Sequence, residues 1–187
     1  PGFDIKRFPA QITMQRPIES VLNLRQTYGF SPDDVEHLTV EVRGQGHSGP
    51  IPTSGLDGKF SIEYCAAAAL LDGGVNIETF TDQRRFSPDM EAMLPRVSVS
   101  PRDSDSARAT VQLKDGRTLS KECLHFRGSA ANPMSREERL SKFRYCAGHS
   151  LSAQDSERLV DLLERLETVD DVSSLMDLMR TRPPANR

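Results

Sequence analysis

At 187 residues the chain has room for one domain, or for a small domain with an appendage. A formal net charge of −3 and a pI near 5.8 exclude a nucleic-acid binder of the usual kind, because no Lys/Arg run is present to neutralise phosphates and no aromatic ladder interleaves with basic residues. Hydrophobic residues at 36%, no Trp and a mean hydropathy of −0.51 give a globular balance with lean core material, so some apolar surface is expected to need cover from other protein.

Residues 1–16 show no clean period. Pro17 suits a first helical turn, and Ile18, Val21, Leu22 and Arg25 follow on one face until Gly29 ends the run. The stretch Ser31-Pro32-Asp33-Asp34 reads as a capped helical turn, and Leu38, Val40 and Val42 then alternate as a strand with one buried face. From Gly44 to Gly58 the composition turns to Gly, Ser and Pro, a loop long enough to carry function. Residues 59–71 read as a buried helix, with alanines at 66–69 for close backbone approach and Gly73-Gly74 as the stop. Ser87-Pro88 caps a short helix to about Leu94. Val97 and Val99 open a strand, residues 101–106 form a loop, and an Asp115-Gly116 turn predicts a hairpin from Val111 to about Phe126.

Composition shifts again over residues 128–133. Ser135 and Glu138 have the form of a capping box, and apolar residues recur at Leu140, Phe143 and Ala147. Ser152 and Asp155 begin a second helix through Leu166, and Val172 to Met179 form a third before Pro183-Pro184. The expectation is therefore an α+β class, with a small domain of mixed strands and helices over residues 1–130 and a helical tail over 131–187. The tail's apolar stripes read as an incomplete bundle that either closes on itself or docks on another helical domain.

Cys65, Cys123 and Cys146 are far apart and odd in number, which supports neither a zinc knuckle nor a disulfide framework and fits a cytoplasmic protein. The longest apolar stretch, residues 64–71, is too short to span a bilayer, and no signal-peptide pattern is present. The opening Pro-Gly, without Met, suggests a start inside a longer polypeptide.

Four segments in order carry a resemblance. They are Lys6-Arg7-Phe8-Pro9-Ala10 before the Pro17 helix; the run from Gly58-Lys59-Phe60-Ser61 through Ala66-Ala67-Ala68-Ala69 to Gly73; Leu113-Lys114-Asp115-Gly116; and Asn132-Pro133-Met134-Ser135-Arg136-Glu137-Glu138 with Lys142-Phe143. Together they are similar to the C-terminal part of the MmgE/PrpD family, which includes 2-methylcitrate dehydratase, cis-aconitate decarboxylase and iminodisuccinate epimerase. The resemblance implies a lid-type α+β domain, with terminal helices belonging to an all-helical domain built mostly from an N-terminal half. It also implies an active site between the two, chemistry without cofactor or metal, and an oligomer. The partners so implied are a small polycarboxylate substrate and that helical domain or a partner chain; neither nucleic acid nor membrane is expected.

Such chemistry moves a proton next to a carboxylate-bearing carbon, which needs cations for the carboxylates and a base near the acidic carbon. Lys6 matches the family lysine before the Phe-Pro motif and is the expected carboxylate ligand. Gln11 stands where decarboxylase-like relatives have a histidine, and an amide cannot shuttle protons near neutral pH. Gln15 stands where many members have His and methylcitrate dehydratases have Gln, which leans the expectation toward dehydration, and Gln11 and Gln15 are expected to orient the substrate that Lys6 holds. Lys59 opens the family's Lys-Phe-Ser motif as a further substrate ligand or a structural pair, and His47 in the Gly-rich loop is the candidate for proton transfer. His37, His125 and His149 read as structural or surface residues, and Cys146 with His149 lacks the third group a nucleophile needs. The alternative to a dehydratase-like lyase or isomerase is a catalytically degenerate remnant that binds a carboxylate or a partner, favoured by Gln11 in place of histidine.

Overall fold

The computed structural model describes residues 2–44 and 51–180, which fall into two units, Pro1–Pro133 and Met134–Arg187. His47 lies outside the described residues. The boundary follows the turn chemistry of residues 128–133, where Gly128 adopts a φ of 105° and its N–H donates to the Asn132 carbonyl at 2.8 Å.

In the first unit, helix α1 spans Gln15–Tyr28 and follows a 3-10 turn at Ile12–Met14. It begins two residues before Pro17, because a first-turn N–H needs no helical acceptor and proline merely occupies one of those positions. Ile18, Val21 and Leu24 are fully buried along one stripe. The end is the one Gly29 predicts: a left-handed φ of 63°, with the glycine N–H on the Arg25 carbonyl at 2.9 Å.

Strand β1 (Val35–Arg43) leads, after α2 (Ile62–Asp72), α3 (Asp82–Arg85) and α4 (Pro88–Met93), into β2 (Val97–Arg102), β3 (Ala107–Leu113) and β4 (Thr118–Cys123). The sheet order is β2-β1-β3-β4, with β1 and β2 parallel and the other pairs antiparallel. One face carries Leu38, Val40, Val97, Ala109, Val111 and Leu113 into the core. There α1 packs against β3 and β4, and α2 against β2 and against α1. Ala66, Ala67, Ala68 and Ala69 are all fully buried, as close approach of α2 to its neighbours requires.

The structure corrects the helix expected over residues 59–71. Asp57–Phe60 form a separate 3-10 turn, and Ser61 leaves helical geometry (φ −103°, ψ 123°) to cap α2 by accepting the Tyr64 N–H on its hydroxyl at 3.1 Å. A serine at that point offers the orphan donors of a new helix an acceptor, so two elements form instead of one. Lys59 thus rides on the turn and not on α2.

In the second unit, α5 (Arg136–Ala147), α6 (Ala153–Glu164) and α7 (Ser173–Met179) follow in order. The Ser135 capping box is present in both halves, with Ser135 Oγ accepting from Glu138 N at 3.2 Å and Glu138 Oε2 from Ser135 N at 2.7 Å. Two paired bonds, Arg136 to Glu164 and Arg144 to Glu157, stitch α5 to α6 at 2.6–2.8 Å. They are exposed, so solvent and salt screen them and they add little stability. The apolar interior is thin: α5 has no buried residue, and in α6 and α7 only Ser156, Leu159, Val160 and Leu175 are buried. Val172 and Met176 stay more than half exposed. No described helix is long and apolar enough to cross a membrane.

Candidate functional site

The site grows from the N-terminal loop, residues 6–11, and the 3-10 turn that carries Lys59. Phe8 and Ala10 are buried and anchor the loop, while Lys6 and Gln11 are exposed. The Gln11 N–H donates to the Lys59 carbonyl at 3.1 Å. One main-chain bond therefore joins the two segments that supply the expected cations. Ile12 and Phe60, next to Gln11 and Lys59 in the chain, are exposed apolar residues, as is Leu56, whose carbonyl accepts the Lys59 N–H at 3.2 Å.

Lys59 is half-buried, and its ammonium lies 5.6 Å from the Phe80 ring centroid. This is a cation–π contact of moderate strength that restrains the amine without neutralising it. Phe80 in turn sits 6.2 Å from the Tyr64 ring, tilted by 48°. Tyr64 is fully buried, donates its hydroxyl to the Thr79 carbonyl, and lies against Gly58, where an added Cβ would collide with its ring. Asn76 and Thr79 hold that turn by exchanging side-chain to main-chain bonds at 3.0 Å in both directions. The orientation of Lys59 is thus fixed by a stack that runs from Gly58 through Tyr64 to Phe80.

Gln15 does something different from the role expected of it. It is fully buried; its Oε1 accepts the Phe8 N–H at 3.0 Å and its Nε2 donates to the Phe8 carbonyl at 3.1 Å, with a longer bond to the Gln11 carbonyl at 3.4 Å. Both ends of the amide are engaged by main chain, and a fully buried group has no face to offer a substrate. One turn along α1, Glu19 accepts from Arg7 at 3.3 Å, and the Arg7 guanidinium also lies 5.1 Å from the Phe8 ring. Sequence reading missed Arg7 and Glu19. The signal available was the i, i+4 spacing of Gln15 and Glu19, which places both on one face of α1.

Other titratable groups are accounted for by structure. Burial, reinforced by the Glu63 charge, pushes the Cys65 thiol up to about 12, and its Sγ donates to the Gly58 carbonyl at 3.4 Å, so it supplies no thiolate near neutral pH. Burial likewise lifts Cys123 to about 12, helped by Glu19. His37 bonds Ser98 Oγ at 2.8 Å on the outer face of the sheet, and His149 turns its Nδ1 to the Tyr145 carbonyl at 3.0 Å. Glu63 is the exception. One carboxylate oxygen receives the Ser61 hydroxyl at 3.2 Å, while the other is buried without a hydrogen-bond partner. No cluster of three or more His, Cys, Asp or Glu residues suited to a metal occurs among the described residues.

The first unit is thus an α+β domain in which the Lys6 loop and the Lys59 turn are joined by a main-chain bond, and a short helical unit follows it in the chain. A family model described as the MmgE/PrpD C-terminal domain matches residues 8–168, and the chain belongs to that family. It is similar to cis-aconitate decarboxylase of Mus musculus, with 30% identity over 159 residues covering 81% of this chain and 33% of that protein. It is also similar to cis-aconitate decarboxylase of Homo sapiens (28%, covering 96% of this chain and 40% of that protein) and of Aspergillus terreus (23%, covering 87% and 37%). The chain therefore spans between a third and two-fifths of the length of these relatives.

Proposed function

We propose that this chain forms the cation-bearing wall of a site for a small di- or tricarboxylate, in a cofactor-independent lyase or isomerase of the MmgE/PrpD family. The observation that carries the reading is the Gln11–Lys59 main-chain bond, which ties the Lys6 loop to the Lys59 turn. In this reading Lys6 holds one substrate carboxylate and Lys59 screens a second. A cation about 4 Å from developing carbanion charge contributes on the order of 4 kcal/mol at a protein-surface dielectric. The opposite wall is the helical part of the same family, from the same polypeptide or a partner chain. The exposed Ile12, Leu56 and Phe60, neighbours of Gln11 and Lys59, support contact with such a wall.

The lean toward dehydration does not carry into this reading, because it rested on Gln15 and that amide is engaged by Phe8. Loss of carbon dioxide, as in the reaction that gives the relatives their name, leaves a carbanion that must take a proton. Gln11 cannot deliver one, so His47 is this chain's candidate for that step. The second reading, carboxylate binding without turnover, is favoured by Gln11 itself. Proton NMR in D2O of the full-length protein with cis-aconitate, citrate, methylcitrate and iminodisuccinate separates the two. The lyase reading expects loss of carbon dioxide or water, or exchange of a carbon-bound proton, that falls at least about 100-fold in Lys6→Ala. Binding with no chemistry on any acid establishes the second reading and refutes the first.

A further inference from the structure

Gln15 is a fully buried polar side chain of the first unit with both ends of its amide on main chain. Its primary amide closes a two-point ring on the main chain of one residue, Phe8, seven positions earlier. The side chain thereby stands in for a peptide group of a neighbouring strand, giving Phe8 the donor and acceptor that a loop otherwise lacks. Glu19, one turn on, grips the adjacent Arg7. Between them, α1 fixes both residues that follow Lys6, while Gln11 is tied to Lys59 on the other side.

We infer that Gln15 is a positioning residue: its amide clamp on Phe8, seconded by Glu19 on Arg7, sets the conformation of the loop that presents Lys6 and Gln11. The inference rests on the polycarboxylate reading for what the loop presents, but the clamp itself is read directly. Main-chain geometry explains why an amide suits the position. The group must donate to a carbonyl and accept from an N–H at once, which a carboxylate cannot do and a carboxylic acid can. Gln15→Glu therefore makes the clamp pH-dependent. A carboxyl in this fully buried place has its pKa raised by desolvation, so the acid form, which keeps both bonds, persists to higher pH than for an exposed glutamate.

The test measures amide hydrogen exchange by NMR in the full chain, with protection factors corrected for intrinsic rates, for wild type, Gln15→Met and Gln15→Glu. Gln15→Met keeps volume and removes both bonds. It is expected to lower protection of the Phe8 amide at least about 10-fold while amides in α2 and β3 change less than about 2-fold. Gln15→Glu is expected to match wild type at pH 5 and to resemble Gln15→Met at pH 8. Unchanged Phe8 protection, a uniform loss across the unit, or no pH dependence in Gln15→Glu overturns the clamp. A citrate titration on the same samples adds the functional arm, in which affinity falls at least about 5-fold in Gln15→Met. Equal citrate affinity in both overturns the positioning role. A wild type that binds no citrate counts against the carboxylate reading instead, and the exchange data still decide the clamp.

Discussion

Gly58→Ala probes the stack beneath Lys59. An added Cβ would run into the Tyr64 ring, which is fully buried and tied through its hydroxyl to the Thr79 carbonyl. Overpacking a closed site costs about 1–3 kcal/mol. As the ring gives way it also loses the Thr79 bond, worth about 1 kcal/mol, and shifts Phe80 away from the Lys59 amine. The sum is about 2–4 kcal/mol, against a total of about 5–15 kcal/mol for a domain. At roughly 2–4 °C per kcal/mol for a chain of this size, the midpoint should fall by about 4–16 °C. The assay is urea and thermal unfolding of Gly58→Ala in wild-type and Tyr64→Leu backgrounds. Without the ring the alanine should cost less than about 1 kcal/mol, a coupling that identifies the contact. Equal cost in both backgrounds, or a melting change under about 1 °C, refutes the reasoning.

Stability should also fall in alkali, because burial holds the Tyr64 phenol up to about 12 and the Cys65 thiol up to about 12, against 10.0 and 9.0 in the open chain. The unfolded state therefore loses these protons first, so their contribution is complete below pH 9 and declines from there to pH 12. Urea midpoints should drop across that window, less so in Tyr64→Phe, and a midpoint flat to pH 11 contradicts the burial argument. Arg25→Ala removes a guanidinium whose Nη1 donates to the Leu70 and Leu71 carbonyls at 2.9 and 3.3 Å, capping α2; a loss of about 1–2 kcal/mol is expected in urea unfolding. Ser135→Ala deletes one half of a capping box at the start of a helix with no buried residue, and carbon-13 shifts over residues 136–140 should report fraying equivalent to about 1 kcal/mol.

Much of the fold was legible because local chemistry dictates it. Gly29 and Gly73 stop α1 and α2 in left-handed geometry, Ser135 caps α5, and the Asp115-Gly116 turn joins β3 to β4. What escaped reading depends on distant partners. The parallel pairing of β1 with β2 spans the α2 crossover, and alternation alone does not name a strand's neighbour. Pro101 and Arg102, assigned to a loop, extend β2 because they sit opposite Val42 and Arg43 at the sheet edge, where proline is tolerated. The candidate site divides the same way. Lys6 and Lys59 were visible through motif resemblance, whereas the opposite burial of Gln11 and Gln15, four residues apart, arises because Gln11 is non-helical (φ −58°, ψ 152°) ahead of the 3-10 turn while Gln15 opens α1 with its amide on Phe8. A glutamine's neighbours, not its identity, decided whether it faces solvent or main chain.

The direct measurement is a nitrogen-15 NMR titration of this chain with citrate at low ionic strength, alongside Lys6→Gln and a matched chloride control. The two-loop site predicts saturable shifts confined to residues 6–11 and 58–60, at least about 10-fold weaker in Lys6→Gln. Shifts scattered over the surface, or identical in Lys6→Gln, contradict it.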